Sequence, residues 1–184
     1  MPELEDLEDY DCVVCWSNYP FDNPTEMGNT LAEYVDGGGK VVLAPFCWNS
    51  GWSIGGAIVT DGYSPFTGSS GDHYSNASWE LDDPDEPDHP FLDDVDSLSC
   101  GFRDYVTLAS WGNLVTHYIG DNEEAVAYND NHTVAGLNGY PGQLGSSYQW
   151  TGDYPQAMRN VIVWLCTSTD IQPASLGTLK AMFK

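Results

Sequence analysis

The chain has little positive charge. Five of its 184 residues are Lys or Arg, against 28 Asp or Glu, so the formal net charge at pH 7 is −23. The five are Lys40, Arg103, Arg159, Lys180 and Lys184, and no two are adjacent. Nucleic acids and anionic membranes are gripped by clustered basic side chains, so neither is an expected partner. Long apolar runs are also missing. No stretch of about 18 apolar residues occurs, and no membrane insertion is expected. Met1 to Asp11 is acidic and polar, the opposite of a secretory signal. The histidines His73, His89, His117 and His132 are scattered, without an HExxH or HxH pair. The five cysteines form no zinc-type pair of CxxC pairs.

What is present is apolar and aromatic. Hydrophobic residues make up 41% of the chain, with seven Trp and eleven Tyr, enough for one domain with a proper core. Asp11 to Trp16 is a compact apolar run and reads as a buried strand. Cys12 and Cys15 have CxxC spacing inside that run, away from a helix start, so they read as small buried hydrophobes rather than a redox motif. Asn23, Pro24 and Glu26 then form a helix start of the capping-box kind. Met27, Leu31, Tyr34 and Val35 give that helix one apolar face, and Gly37-Gly38-Gly39 stops it. Lys40 to Ala44 is a second buried strand. Strand, helix, glycine turn and strand make a βαβ unit with parallel strands.

Residues 45–80 show no periodicity beyond a short element around Ile54–Thr60. Residues 80–96 carry nine carboxylates, and Pro84, Pro87 and Pro90 keep them out of a helix. Short strands follow at Asp104–Leu108, Asn113–Ile119, Glu124–Tyr128 and Thr133–Leu137. A helix starting near Asp153 or Tyr154 closes the domain on Met158, Val161, Ile162 and Leu165. The order predicts an α/β fold in three layers, with a mainly parallel sheet, added antiparallel strands and helices on both faces. Residues 1–167 are expected to form that domain. Residues 168–184 read as a linker or tail, so the chain is expected to be part of a larger multidomain protein.

Several of these segments together resemble the ThuA-like domains of the class I glutamine amidotransferase-like superfamily. The likeness rests on Tyr10-Asp-Cys-Val-Val-Cys-Trp16, Gly28 to Leu43 with its glycine turn, Asp88-His89-Pro90 before Phe91, and the strand and helix at Thr133–Leu137 and Ala157–Cys166. It implies a flavodoxin-like α/β/α sandwich. The superfamily has a further βα unit ahead of the Tyr-Asp strand, where this chain has Met1–Asp9. The chain is therefore expected either to be truncated or to manage with a smaller sheet. Glutamine amidotransferases carry their nucleophile in a Gly-x-Cys-x-Gly elbow. Here the strand end reads Leu43-Ala-Pro-Phe-Cys47-Trp48, with no elbow and no histidine.

Three candidate sites follow. Cys47 lies just past a parallel strand end, where α/β sheets bind ligands. As a nucleophile it needs a base such as His89, His73 or His132 and a lowered pKa; otherwise it is an inert loop or core thiol. The second site is the pair of strand-end loops bearing Trp16, Asn18 and Tyr19 on one side and Trp48, Asn49 and Trp52 on the other. A parallel βαβ unit brings both loops to one edge. Their aromatic faces and amides suit a glycan or a protein partner, or else they fill a small core beneath the loop. The third is the acidic loop, where Asp82, Asp83 and Asp85 could supply oxygens to Ca²⁺ or simply form a solvated surface. The missing elbow and the aromatic loops make a non-catalytic, amidotransferase-like binding domain the leading expectation. The acidity suggests an extracellular or cell-surface setting. The alternative is a Cys47-dependent hydrolase or amidase, or a ThuA-like sugar enzyme.

Overall fold

Two apolar runs of four residues set the centre of the fold. A computed structural model describes residues 1–49, 51–60, 62–69, 76–144 and 147–167. In chain order its elements are α1 (Leu4–Leu7), β1 (Cys12–Cys15), α2 (Pro24–Asp36), β2 (Lys40–Leu43), β3 (Phe66–Gly68), β4 (Ala77–Ser78), β5 (Leu98–Cys100), β6 (Val106–Leu108), β7 (Gly112–His117), β8 (Glu124–Asn129), β9 (Val134–Leu137), β10 (Gln143–Leu144), β11 (Ser147–Tyr148), β12 (Trp150–Gly152) and α3 (Tyr154–Thr167). Two 3-10 turns, Ala57–Val59 and Pro90–Leu92, lie between them.

The expected βαβ unit is there. Strands β1 and β2 pair in parallel, Cys12 opposite Lys40 and Cys15 opposite Leu43. Helix α2 begins as its sequence suggests. The Glu26 N–H donates to Asn23 Oδ1 (3.2 Å), and Asn23 Nδ2 donates to Glu26 Oε2 (2.7 Å). The chain leaves the helix through Gly38 at φ +103°, a conformation that favours glycine.

The main sheet has the order β1-β2-β9-β8-β7. Strand β9 continues the parallel set beside β2, while β8 and β7 add antiparallel strands. Side chains alternate across it as strand geometry requires. On one face Leu31, Ala32, Tyr34 and Val35 of α2 pack with Val41, Leu43, Ala127 and Val134. On the other, Ala157, Val161, Ile162 and Leu165 of α3 pack with Val42, Val126, Ala135 and Leu137. The architecture is thus mixed α/β, with a five-stranded sheet that is partly parallel and partly antiparallel.

Elements outside the sheet are short. Strand β3 pairs with β6, and β12, β5 and β4 form a separate three-stranded sheet. At two or three residues each they carry little alternation, and β6 alone falls within an expected strand, Asp104–Leu108. No helix among the described residues is long and apolar enough to cross a membrane.

The start of α2 is locked to the loop after β2. The Gly55 N–H donates to the Pro24 carbonyl (3.0 Å) and the Ala57 N–H to Asn29 Oδ1 (2.8 Å). Gly28 sits in this contact, and a Cβ there would lie 1.7 Å from the Gly55 carbonyl oxygen. Gly28→Ala is therefore expected to destabilise by about 1–3 kcal/mol, the range for overpacking. Urea unfolding checks this, and an unchanged midpoint would show that the loop yields freely.

Candidate functional site

The loops after β1, β2 and β9 meet at the carboxyl edge of the parallel strands. The first two are knitted by backbone bonds. Ala44 N–H donates to the Cys15 carbonyl (2.9 Å) and Phe46 N–H to that of Ser17 (3.2 Å), while Ser17 Oγ donates to the Phe46 carbonyl (3.3 Å). Asp104 holds the loop from behind. Its Oδ2 accepts the Trp48 N–H (2.9 Å) and the Asn49 N–H (3.2 Å). Asn138, just past β9, holds Asp104 in turn. Asn138 Oδ1 accepts the Asp104 N–H (2.8 Å), and Nδ2 donates to the carbonyls of Asp104 and Glu124 (both 2.9 Å).

Asp104 and Asn138 are both wholly buried. Asp104 Oδ1 has no hydrogen-bond partner among the described residues. Burial pushes this carboxyl up to about 7, although the two N–H groups on Oδ2 pull the other way. No sequence feature marked Asp104. It is one carboxylate of 28 at the start of an expected strand, and only tertiary packing buries it.

An aromatic shelf covers the edge. Phe46 stacks on Tyr140 (5.3 Å between ring centres) and meets Trp52 (5.2 Å) and Phe102 (6.2 Å) edge-on. Tyr19 lies over Trp52 at 6.2 Å and is 76% exposed. Trp52, Trp16 and Asn18 are half-buried. The Asn49 side chain is spent on a local turn, accepting the Gly51 N–H (2.8 Å). Trp48 differs from expectation, because its ring is core. It is buried edge-on against Phe66, and its Nε1 donates to Ser64 Oγ (3.0 Å). Of the strand-end aromatics, Tyr19 and Trp52 face outward and Trp48 does not.

The structure does not bring Cys47 and His89 together. Cys47 is fully buried on the α2 side of the sheet, and its thiol donates to the Cys15 carbonyl at 3.3 Å. Burial, followed by the Cys15 thiol, pushes the Cys47 thiol well up, which keeps it protonated. His89 lies on the α3 side. Its Nδ1 accepts the Phe91 N–H (3.2 Å), and its ring packs on Phe91, Tyr128 and Trp164. Burial, with a smaller push from His132, lowers it to about 4, so it is neutral at pH 7. His132 joins the same ring cluster through Tyr128 and Trp164. His73 and the 168–184 tail lie outside the described residues.

The acidic loop is dispersed. Asp85 bonds His117 Nδ1 (2.8 Å), while Asp82 lines a shallow cleft with Trp79 and Thr151 and Asp83 points to solvent. Among the described residues no group of three or more His, Cys, Asp or Glu converges as metal ligands would.

Comparison with known proteins shows the fold. No family model matches the chain, and no curated protein matches it in sequence. Solved structures do. Cytoplasmic protein STM3548 from Salmonella typhimurium superposes with a TM-score of 0.64 at 14% identity, over 89% of this chain and 75% of that one. Cytoplasmic protein STM1381 from Salmonella typhimurium LT2 gives 0.58 at 12% identity, over 90% and 74%. The N-terminal domain of mmIFT52 gives 0.58 at 13% identity, over 94% and 83%. The extracellular or cell-surface setting expected from the acidity is corrected here. Two proteins that share the fold are cytoplasmic. Surplus carboxylates confer solubility in any compartment, so the acidity that suggested the outside of a cell does not discriminate between compartments.

Proposed function

We propose that the chain is a non-catalytic member of the class I glutamine amidotransferase-like superfamily, a flavodoxin-like three-layer domain that binds a neutral sugar at its carboxyl edge. The carrying observation is Tyr19, 76% exposed, laid over Trp52 beside the ends of the parallel strands. Among the described residues it is the one aromatic side chain left so open, and it stands where α/β sheets bind ligands. An open tyrosine and a half-buried tryptophan offer apolar ring faces with polar tips, which suits a pyranose. Asn18, half-buried next to Tyr19, adds an amide for hydroxyl groups. A non-catalytic role is supported by Cys47, whose thiol is buried, protonated and turned to a backbone carbonyl. The layered arrangement is supported by α2 and α3 packing into separate apolar clusters on the two sheet faces. One similar structure is itself the N-terminal domain of a protein, which supports reading this chain as one domain of several.

A glycan array followed by calorimetry with the best neutral oligosaccharide tests this. Tyr19→Ala is expected to weaken binding about fivefold to tenfold, the ~1–1.4 kcal/mol of one aromatic contact, with stability unchanged. Trp52→Ala should weaken it at least as much. An empty array, or binding that ignores both substitutions, rejects the sugar reading, and a protein partner at the same shelf would then be sought by crosslinking from position 19.

A further inference from the structure

The two edges of the main sheet are finished differently. At β7 the outer side is capped. The Val115 carbonyl accepts the Glu86 N–H (3.0 Å), and the His117 carbonyl accepts the Glu80 N–H (2.6 Å). At β1 the outer side is open. The Asp11 carbonyl accepts the Lys40 N–H (3.2 Å) and the Cys15 carbonyl the Ala44 N–H (2.9 Å), so odd-numbered residues turn their backbone groups to β2. Successive residues of a strand alternate, so the N–H and C=O groups of Cys12 and Val14 point away from β2. Among the described residues no strand pairs with that side, and no hydrogen bond reaches those groups. A row of open backbone donors and acceptors is a template for another strand. The side chains of Cys12 and Val14 lie on the α3 face and that of Val13 on the α2 face, all three half-buried.

The flank of this edge is acidic. Leu4 and Leu7 hold α1 in the same apolar cluster as Val13 and Cys15, on the α2 face. Around them Glu3, Glu5, Asp6, Glu8, Asp9 and Asp11 are all exposed, and none is ion-paired among the described residues. Lys40, opposite Cys12, is buried, and its Nζ donates to the His132 carbonyl (3.2 Å). A second copy pairing edge to edge would set one acidic stretch against another, in a chain whose net charge is already −23. The complement of this edge is a partner of opposite sign.

We propose that β1 is a docking edge for an extended basic segment of another protein, which adds a strand to the five-stranded sheet. Every second residue of the segment bonds the open groups of Cys12 and Val14, which repeat at about 6.6 Å. Side chains of the added strand alternate between the two faces. Lysine or arginine falls on the α1 side, and an apolar residue falls on the α3 side beside Cys12 and Val14. The ladder is short, so backbone bonds set the register and opposite charge supplies much of the attraction.

The test is titration of the full chain with a capped peptide alternating lysine and valine, read by amide NMR and hydrogen exchange. Saturable binding is expected at low salt, weakening severalfold as salt rises to physiological strength. The Cys12 and Val14 amides should become protected, while those of Val13 and Cys15, on the β2 side, stay as they are. N-methylation of the peptide at the residues whose N–H faces β1 should weaken binding about tenfold or more, and at the intervening residues it should not. Glu5→Gln combined with Glu8→Gln should weaken it about threefold, with the chain still folded. An alternating glutamate–valine peptide should not bind. No binding of the basic peptide at low salt, binding indifferent to the methylation pattern, or protection of the same two amides by self-association without peptide would each overturn the proposal.

Discussion

Between about pH 4 and pH 7 the protein is expected to lose stability that an Asp104→Asn variant keeps. The Asp104 carboxyl is raised from 3.8 to about 7 by burial. A carboxyl raised in the fold holds its proton more tightly there than in the unfolded chain. As pH rises past about 4 the unfolded state releases that proton first, and folding becomes less favourable with each further step. The contribution is fully present below about pH 4 and gone above about pH 7. A shift of roughly three units corresponds to at most ~4 kcal/mol, a large share of the 5–15 kcal/mol that holds a typical domain. Oδ2 can accept the Trp48 and Asn49 N–H groups in either protonation state, so the loop keeps its tie while the orphaned Oδ1 bears the cost of charge. Asparagine keeps an acceptor for those bonds and cannot ionise. Urea midpoints measured for both proteins from acid to alkaline pH should diverge across this window, with wild type falling relative to the variant. Parallel curves would mean that Asp104 is solvated or already ionised in the fold. The difference between the two proteins is the informative quantity, because the other carboxylates titrate in both.

The same residue marks how far the sequence carries. The βαβ unit was legible because its signals are local: paired valines in each strand, Asn23 and Pro24 at the helix start, and glycines at its end. The strand at Thr133–Leu137 was legible as a strand. Its place beside β2 was not, since that pairing joins Val41 to Val134 with no local signal between them. The carboxyl-edge shelf was half legible. A parallel βαβ unit has to bring Tyr19 and Trp52 to one edge, and it does. Phe46, Phe102 and Tyr140 complete the shelf from three segments that only folding brings together. Trp48 and Trp52 look alike in sequence, four residues apart in one loop. The cavity beside Phe66 and Ser64 takes the first ring and leaves the second at the surface. Net charge failed in the same way, because an overall surplus of carboxylates carries no information about the one that is buried.

Asn138→Leu should be the most damaging single change at this edge. The side chain makes three bonds to backbone groups, accepting the Asp104 N–H and donating to the Asp104 and Glu124 carbonyls. Leucine matches its size and removes all three, leaving one donor and two acceptors in a site closed to water. A buried unpaired group costs about 1–3 kcal/mol, so the three together are expected to cost about 3–9 kcal/mol. Asn138→Asp separates hydrogen bonding from packing. It keeps the acceptor for the Asp104 N–H, loses the donors and sets a second carboxyl beside Asp104, so it should be weakest at neutral pH and recover as acid restores a proton to donate. Urea unfolding at two pH values distinguishes these outcomes. A cost under about 1 kcal/mol for leucine would mean that water reaches the freed groups. The damage should also reach the shelf. The Tyr140 N–H donates to the Phe102 carbonyl, so the segment after β9 is tied to the segment before β6 at residues 140 and 102 as well as 138 and 104. Freeing 138 from 104 loosens the Tyr140 and Phe102 rings on which Phe46 packs. An Asn138→Leu protein that still folds should therefore lose aromatic near-ultraviolet dichroism and sugar affinity together, although position 138 never meets the ligand.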